Sequence, residues 1–299
     1  MNRETTRLDY LTRTERVQRY IYDHLDDELD LDVLAEVACF SHCHWHRIYR
    51  GMTGETAAQT VRRLRLHRAA GELIQTSSDI RNIASRAGYG SVEAFSRVFR
   101  SAYGEPPAKY RDRTQSPPEP NLMNPKETTM YTTEIKDLPP LKLATLHHVG
   151  DYMKVDEVFM KVFMWNAKEG VVQGEPRSIG VYYDDPSVVE TDKLRSDAGI
   201  VIGDEVTIDP PIDGPDIKTI TVPGGRHAVV TYKGPYAELP KAYDWVFTSW
   251  LQESGEEAGE NPVFEEYLND PRTTAPADLL TNIFLPLKGQ RLMTRGESV

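Results

Sequence analysis

The stretch SHCHWHRIYRGMTGE, residues Ser41–Glu55, decides the first half of the fold, because fifty residues later the chain repeats it as SVEAFSRVFRSAYGE, Ser91–Glu105. Ser41/Ser91, Arg47/Arg97, Arg50/Arg100, Gly54/Gly104 and Glu55/Glu105 are identical, and Trp45/Phe95, Ile48/Val98 and Tyr49/Phe99 are conservative exchanges. An internal repeat outranks a local motif. Each copy reads as a helix with a serine N-cap, an i, i+3, i+4 apolar face and a glycine stop. The competing reading is a metal site, since CFSHCHWHR, Cys39–Arg47, places cysteines and histidines at helical spacing. In the second copy Cys43, His44 and His46 are replaced by Glu93, Ala94 and Ser96, so no ligand set repeats. What recurs is the helical scaffold, with variable side chains on its outer face. No metal and no cofactor is expected.

Shorter amphipathic helices, Leu31–Ala38 and Ile80–Ala87, precede the two copies by the length of a tight turn, the pattern of a helix-turn-helix. The segment Glu55–Gln75 joins the two motifs as one helix. Its length is about 31 Å at about 1.5 Å per residue, close to the roughly 34 Å between successive major-groove faces. One chain can thus offer two reading helices to double-stranded DNA. Trp45 and Phe95 are read as core. Arg62, Arg63, Arg65 and Arg68 are candidates for phosphate contacts or a plain solvated face.

Charge divides the chain in the same way. Residues 1–113 hold 18 Lys+Arg against 16 Asp+Glu, leaving 17 against 30 for the rest of a chain whose net charge is −11. A basic module for a polyanion is joined to an acidic one. Four prolines without apolar periodicity mark residues 114–130 as a linker. No apolar run approaches the ~18 residues that span a bilayer, so no membrane partner is expected. Two cysteines form no disulfide framework, which fits a reducing, cytoplasmic and nucleoid-associated setting.

Leu34-Ala35, Phe40-Ser41, Arg47, Gly54, Arg65, Ala69, Ile83-Ala84, Gly88-Tyr89, Phe95–Phe99, Gly104, Pro107 and Tyr110-Arg111 together resemble the AraC/XylS type of DNA-binding domain over residues 8–113. The resemblance implies base contacts by Cys43, His46 and Arg47 from the first reading helix, and by Val92, Glu93 and Arg97 from the second. It also implies a transcription regulator that works alongside RNA polymerase.

The acidic half repeats at an offset of 85, where Trp165/Trp250, Gly170/Gly255, Tyr182/Tyr267, Asp185/Asp270, Pro186/Pro271 and Leu194/Leu279 coincide. Each copy reads strand, helix, extended run, strand. The expected fold class is therefore two domains: an all-α double helix-turn-helix, then an α+β domain with a duplicated β-α-β-β unit and a ligand groove between its halves. Glu265 stands where the first copy has Gly180, so a carboxylate occurs on one side only. Glu265 and Tyr267 share a strand face with Tyr182 as repeat mate, and with Trp165, Trp245 and Trp250 they suit a cationic or aromatic effector.

GVYYDDP, KLRSD, PVFEEYLNDP and LLTNIFLPL resemble the GyrI-like small-molecule-binding domain over residues 131–288, leaving 289–299 as a flexible tail. The resemblance implies that Glu265 and Tyr267 line the effector pocket, with Glu266 on the opposite face. Two other roles follow from it: hydrolysis of reactive cyclopropane-type compounds, and inhibition of a protein partner.

Overall fold

The computed structural model of the chain describes residues 3–27, 29, 31–39, 45–115, 131–208 and 215–289. The side chains of Cys43 and His46, the N-cap expected at Ser41, residues 116–130 of the expected linker and the tail beyond 289 lie outside the described residues.

The first part is helical throughout: α1 (Arg3–Asp23), α2 (Leu31–Val37), α3 (Trp45–Thr53), α4 (Ala57–Gln75), α5 (Ile80–Arg86), α6 (Val92–Tyr103) and α7 (Pro107–Gln115). The reading helices are α3 and α6. The Ser91 hydroxyl caps α6 by accepting from Ala94 N at 3.1 Å, and Gly104 ends it at φ 83°, a conformation that costs a side-chain-bearing residue strain. The joining helix starts at Ala57, because Thr56 and Gln59 form a reciprocal capping box. Helix α7 runs two residues into the stretch read as linker.

Two cores flank α4. Val17, Ile21, Leu34, Trp45, Tyr49 and Leu64 fill one. Leu66, Leu73, Ile83, Phe95, Phe99 and Tyr110 fill the other. The 50-residue repeat extends to an ion pair. Arg63 Nη2 lies 2.7 Å from Glu55 Oε1, and their repeat mates Arg113 and Glu105 pair in the same way.

Of the four arginines of α4, Arg62 is exposed, while Arg63, Arg65 and Arg68 are half-buried and held by partners within the protein. Arg62 bonds to Tyr89, Arg63 pairs with Glu55, Arg65 donates to the carbonyls of Leu25 (2.9 Å) and Asp27 (2.6 Å), and Arg68 meets Asp26 at 2.6 Å. Arg63, Arg65 and Arg68 thus tie α4 to its surroundings.

The second part is an eight-stranded antiparallel sheet built from two like units. The first is β1 (Thr132–Leu138), β2 (Leu141–Val149), α8 (Val155–Glu169), β3 (Ser178–Tyr182) and β4 (Arg195–Val201). The second is β5 (Lys218–Val222), β6 (Gly225–Lys233), α9 (Leu239–Trp245), β7 (Val263–Tyr267) and β8 (Leu280–Pro286). Each unit thus carries one strand more than the expected β-α-β-β. The strand order is β1-β6-β8-β7-β3-β4-β2-β5, so each unit's first strand pairs with the other unit. Strands β3 and β7 meet at the centre with Gly180 opposite Glu265. These two residues are also repeat mates, so the pseudo-two-fold axis passes between them. Among the described residues no helix is long and apolar enough to cross a membrane.

Candidate functional site

Glu265 projects from β7 toward α8 and α9 and is only 3% exposed. Its partners are two phenols: Tyr243 Oη donates to Oε1 and Tyr267 Oη donates to Oε2, both at 2.7 Å. With the Tyr267 proton committed to the carboxylate, the hydroxyl of Tyr182 donates to Tyr267 in turn. Among the described residues no cation bonds to Glu265. Burial therefore outweighs the two phenol bonds and raises its carboxyl from 4.5 to about 7.

Aromatic rings close the cluster. Tyr152 lies edge-on to Tyr182 at 4.8 Å, Phe159 to Tyr267 at 5.3 Å and Tyr236 to Tyr267 at 5.2 Å. Gly180 makes room for this packing, since a Cβ there would sit 2.9 Å from Tyr182 Oη. The carboxylate lies beneath these rings: Tyr243 and Tyr267 bond to it and the rings pack on one another, while Tyr152, Tyr182, Tyr236, Tyr243 and Tyr267 each keep part of their surface exposed.

The structure brings Glu265, Tyr267 and Tyr182 together. It does not bring Trp165, which is buried with Ala144, Val162 and Ile200. Trp245 and Trp250 stand behind the site in the apolar cluster that includes Tyr243, with Trp245 packed on Tyr131 at 4.9 Å. Glu266 points to the other face and accepts from Arg177 Nε at 2.7 Å.

Sequence reading missed Tyr152, Phe159, Tyr236 and Tyr243. Their signal was present at an offset of 84, where Gly150/Gly234, Tyr152/Tyr236 and Phe159/Tyr243 coincide. The shift to 85 occurs inside the second helix. Helix α9 passes through the π-turn Val246–Trp250, which absorbs one extra residue before the helix ends at Ser254. Aligned this way, the site consists of the mate pairs Tyr152/Tyr236, Phe159/Tyr243, Gly180/Glu265 and Tyr182/Tyr267. Polarity differs at two touching positions: Phe159 and Gly180 in one half, Tyr243 and Glu265 in the other. The carboxylate and its hydrogen-bond donor arrive together.

On the reader, Arg47, Glu93 and Arg97 are exposed and Val92 is half-buried at the first turn of α6. Among the described residues neither Arg47 nor Arg97 is held in an ion pair. The amide of Glu93 itself and the Ser91 hydroxyl hold the Glu93 carboxyl below its usual value. A shallow open depression between Ser78, Asn82, Ser85 and Arg86 has no aromatic lining and no buried charge. Among the described residues no three His, Cys, Asp or Glu side chains gather as a metal site.

Residues 131–288, more than half of the chain, match the GyrI-like small molecule binding domain. The chain belongs to the GyrI-like family. Residues 34–113 match a helix-turn-helix domain of the AraC type. The GyrI-like half is 30% identical over 138 residues to a DNA gyrase inhibitor of Citrobacter koseri, across 46% of this chain and 86% of that protein. The helical half is 38% identical over 94 residues to the regulatory protein SoxS of Salmonella typhimurium, across 31% of this chain and 88% of that protein. Among solved structures, the EcmrR C-terminal domain gives a TM-score of 0.45 at 16% identity, over 54% of this chain and 99% of that one.

Proposed function

We propose that the protein is a sequence-specific, DNA-binding transcription regulator whose GyrI-like domain senses a small aromatic cation. The observation that carries the sensing role is Glu265: a buried carboxylate with phenol partners, no countercharge among the described residues and a wall of rings. An aromatic cation supplies what the site lacks, since it neutralises the carboxylate and stacks on electron-rich faces. Among the retained cage residues, Tyr182 and Tyr267 are the ligand-facing pair, and Trp245 and Trp250 stand in the apolar cluster behind Tyr243.

On DNA, Arg47 and Arg97 read guanine edges, Cys43, His46 and Val92 fill the groove beside them, and Glu93 accepts from a cytosine amino group. RNA polymerase is the expected partner once the operator is held.

The test is a pair of titrations of the full chain. Thioflavin T, a planar aromatic cation that brightens when held, binds the wild type, and Glu265→Gln weakens it at least about tenfold, the loss of roughly 1.4 kcal/mol of charge attraction. The uncharged demethylated dye binds both proteins equally weakly. In gel shifts with a selected operator, Arg97→Ala weakens binding by about 1–3 kcal/mol and relaxes specificity at one base pair. Equal dye binding by wild type and Glu265→Gln defeats the sensing role, and unselective binding defeats the reader role.

A second reading is hydrolytic. A carboxyl near 7 is matched to general acid–base work at neutral pH, and reactive cyclopropane-type compounds would be its substrates. Recovery of such compounds unchanged after incubation with the protein eliminates it.

A further inference from the structure

The lids of the Glu265 cage are also the seats of the DNA reader. Two short turns, Tyr152–Lys154 and Tyr236–Glu238, occupy equivalent places in the two half-units. A 3₁₀ turn rotates successive side chains by about 120°, so neighbouring residues on each turn face different bodies. Tyr236 packs on Tyr267 inside the cage and on His67 of α4 at 6.3 Å. Ala237 is buried in the reader's second core beside Leu66, Phe99 and Tyr110. Glu238 accepts two bonds from Arg113 of α7, at 2.6 and 2.9 Å.

The mate turn behaves alike. Tyr152 packs on Tyr182, while the Met153 carbonyl lies 3.1 Å from His67 Nε2. The Met153 side chain rests on Gly71 of α4, where a Cβ would sit 3.1 Å from its methyl group. A third link leaves the end of β7. Arg272, just beyond Tyr267, donates to the carbonyl of Thr53 at 2.9 Å, and Thr53 is the last residue of reading helix α3.

Nothing reaches Glu265 unless part of the cage moves, because both of its oxygens are engaged and it is buried. Tyr182 and Tyr267 sit on central strands, each paired on both sides, so their backbones are fixed by the sheet. Tyr152 and Tyr236 sit on three-residue turns outside the sheet; the Tyr152 hydroxyl is bonded to the Arg195 carbonyl at 2.9 Å, so its turn moves only when that bond breaks. We propose that effector entry displaces these two turns and thereby unseats the reader from α4 and α7, so that the occupied cage and the seated reader are alternative states. This rests on the reading of Glu265 as the effector site. It follows that the effector's apparent affinity is reduced by the fraction of molecules that are seated.

A cysteine pair, Gly71→Cys with Met153→Cys, tests the coupling in a full chain whose Cys39 and Cys43 are replaced by serine. A Cβ at residue 71 would lie 3.7 Å from Met153 Cγ, the place a cysteine sulfur takes, which is close to disulfide reach. The reduced protein, which has lost the Met153 contact, binds thioflavin T at least as tightly as wild type, and the oxidised protein binds at least about tenfold more weakly than the reduced, because the seated state is then fixed. Glu238→Gln, which loosens one seat without touching the cage, tightens binding by about three- to tenfold. If oxidised and reduced forms bind alike and Glu238→Gln changes nothing, the turns are not the coupling element and Glu265 remains the effector site. If neither wild type nor the reduced pair binds the dye, the effector-site reading falls and the coupling with it.

Discussion

Glu265 is held in the fold at a cost, and on the proposed reading its effector offsets that cost. Its folded carboxyl titrates at about 7 and its unfolded one near 4.5. Between those values the folded chain holds a proton that the unfolded chain has released. Stability from this group is therefore highest below the window, falls as pH rises through it, and stays low above. The shift corresponds to roughly 3 kcal/mol. Glu265→Gln keeps the shape and removes the charge, so it melts several degrees above wild type at pH 8 and close to it at pH 5. Thermal melts at the two pH values check this, and an equal difference at both contradicts it. Dye affinity runs the other way, rising as the carboxylate ionises toward pH 8. One residue thus trades stability for binding, and the two readouts move oppositely with pH.

Two features belong to the elements. The cap of α6 holds the reading helix at the end where Val92 and Glu93 sit. Ser91→Ala costs about 1 kcal/mol, measured as a lower urea midpoint. In α9 the π-turn carries a residue that α8 lacks. Removing the exposed Thr248 makes the helix regular while both flanks keep register. The expected result is a melting temperature near wild type and intact dye binding, because Tyr243 lies before the turn. Loss of folding would show that the π-turn itself shapes the cage. The same residue explains why half of the site was illegible. A constant offset of 85 aligns the strands and Trp165 with Trp250, but it slips by one across the helix starts and hides Tyr152/Tyr236 and Phe159/Tyr243. Strands β1 and β5 escaped notice because TTEIKDL and KTITV, largely exposed strands at the two edges of the sheet, show no strong apolar alternation.

At the scale of the molecule, the two halves are bound by more than a linker. Tyr22 donates to Asp156 at 3.1 Å, Lys168 meets Glu15, Arg113 meets Glu238, and Ala237 is shared with the reader's core. These ties predict a single cooperative unfolding transition in calorimetry, with optical and calorimetric midpoints coincident. Replacing Arg113 and Arg272 together by alanine separates it into two. Two transitions already in the wild type would mean that the joint is too weak to carry a signal.

The sequence by itself determined the local architecture: two reading helices, a joining helix, a duplicated sheet unit and one unmatched carboxylate. Those features follow from backbone periodicity, capping chemistry and repetition, all of which act over a few neighbouring residues. Only the tertiary structure decided where charges and rings found partners. It tied Arg63, Arg65 and Arg68 of α4 to Glu55, Leu25, Asp27 and Asp26, gathered four further aromatics around Glu265, left Trp165 in a separate core and set the turns of Tyr152 and Tyr236 against the reader. Burial and pairing depend on which surfaces meet, and no local pattern of residues encodes that meeting.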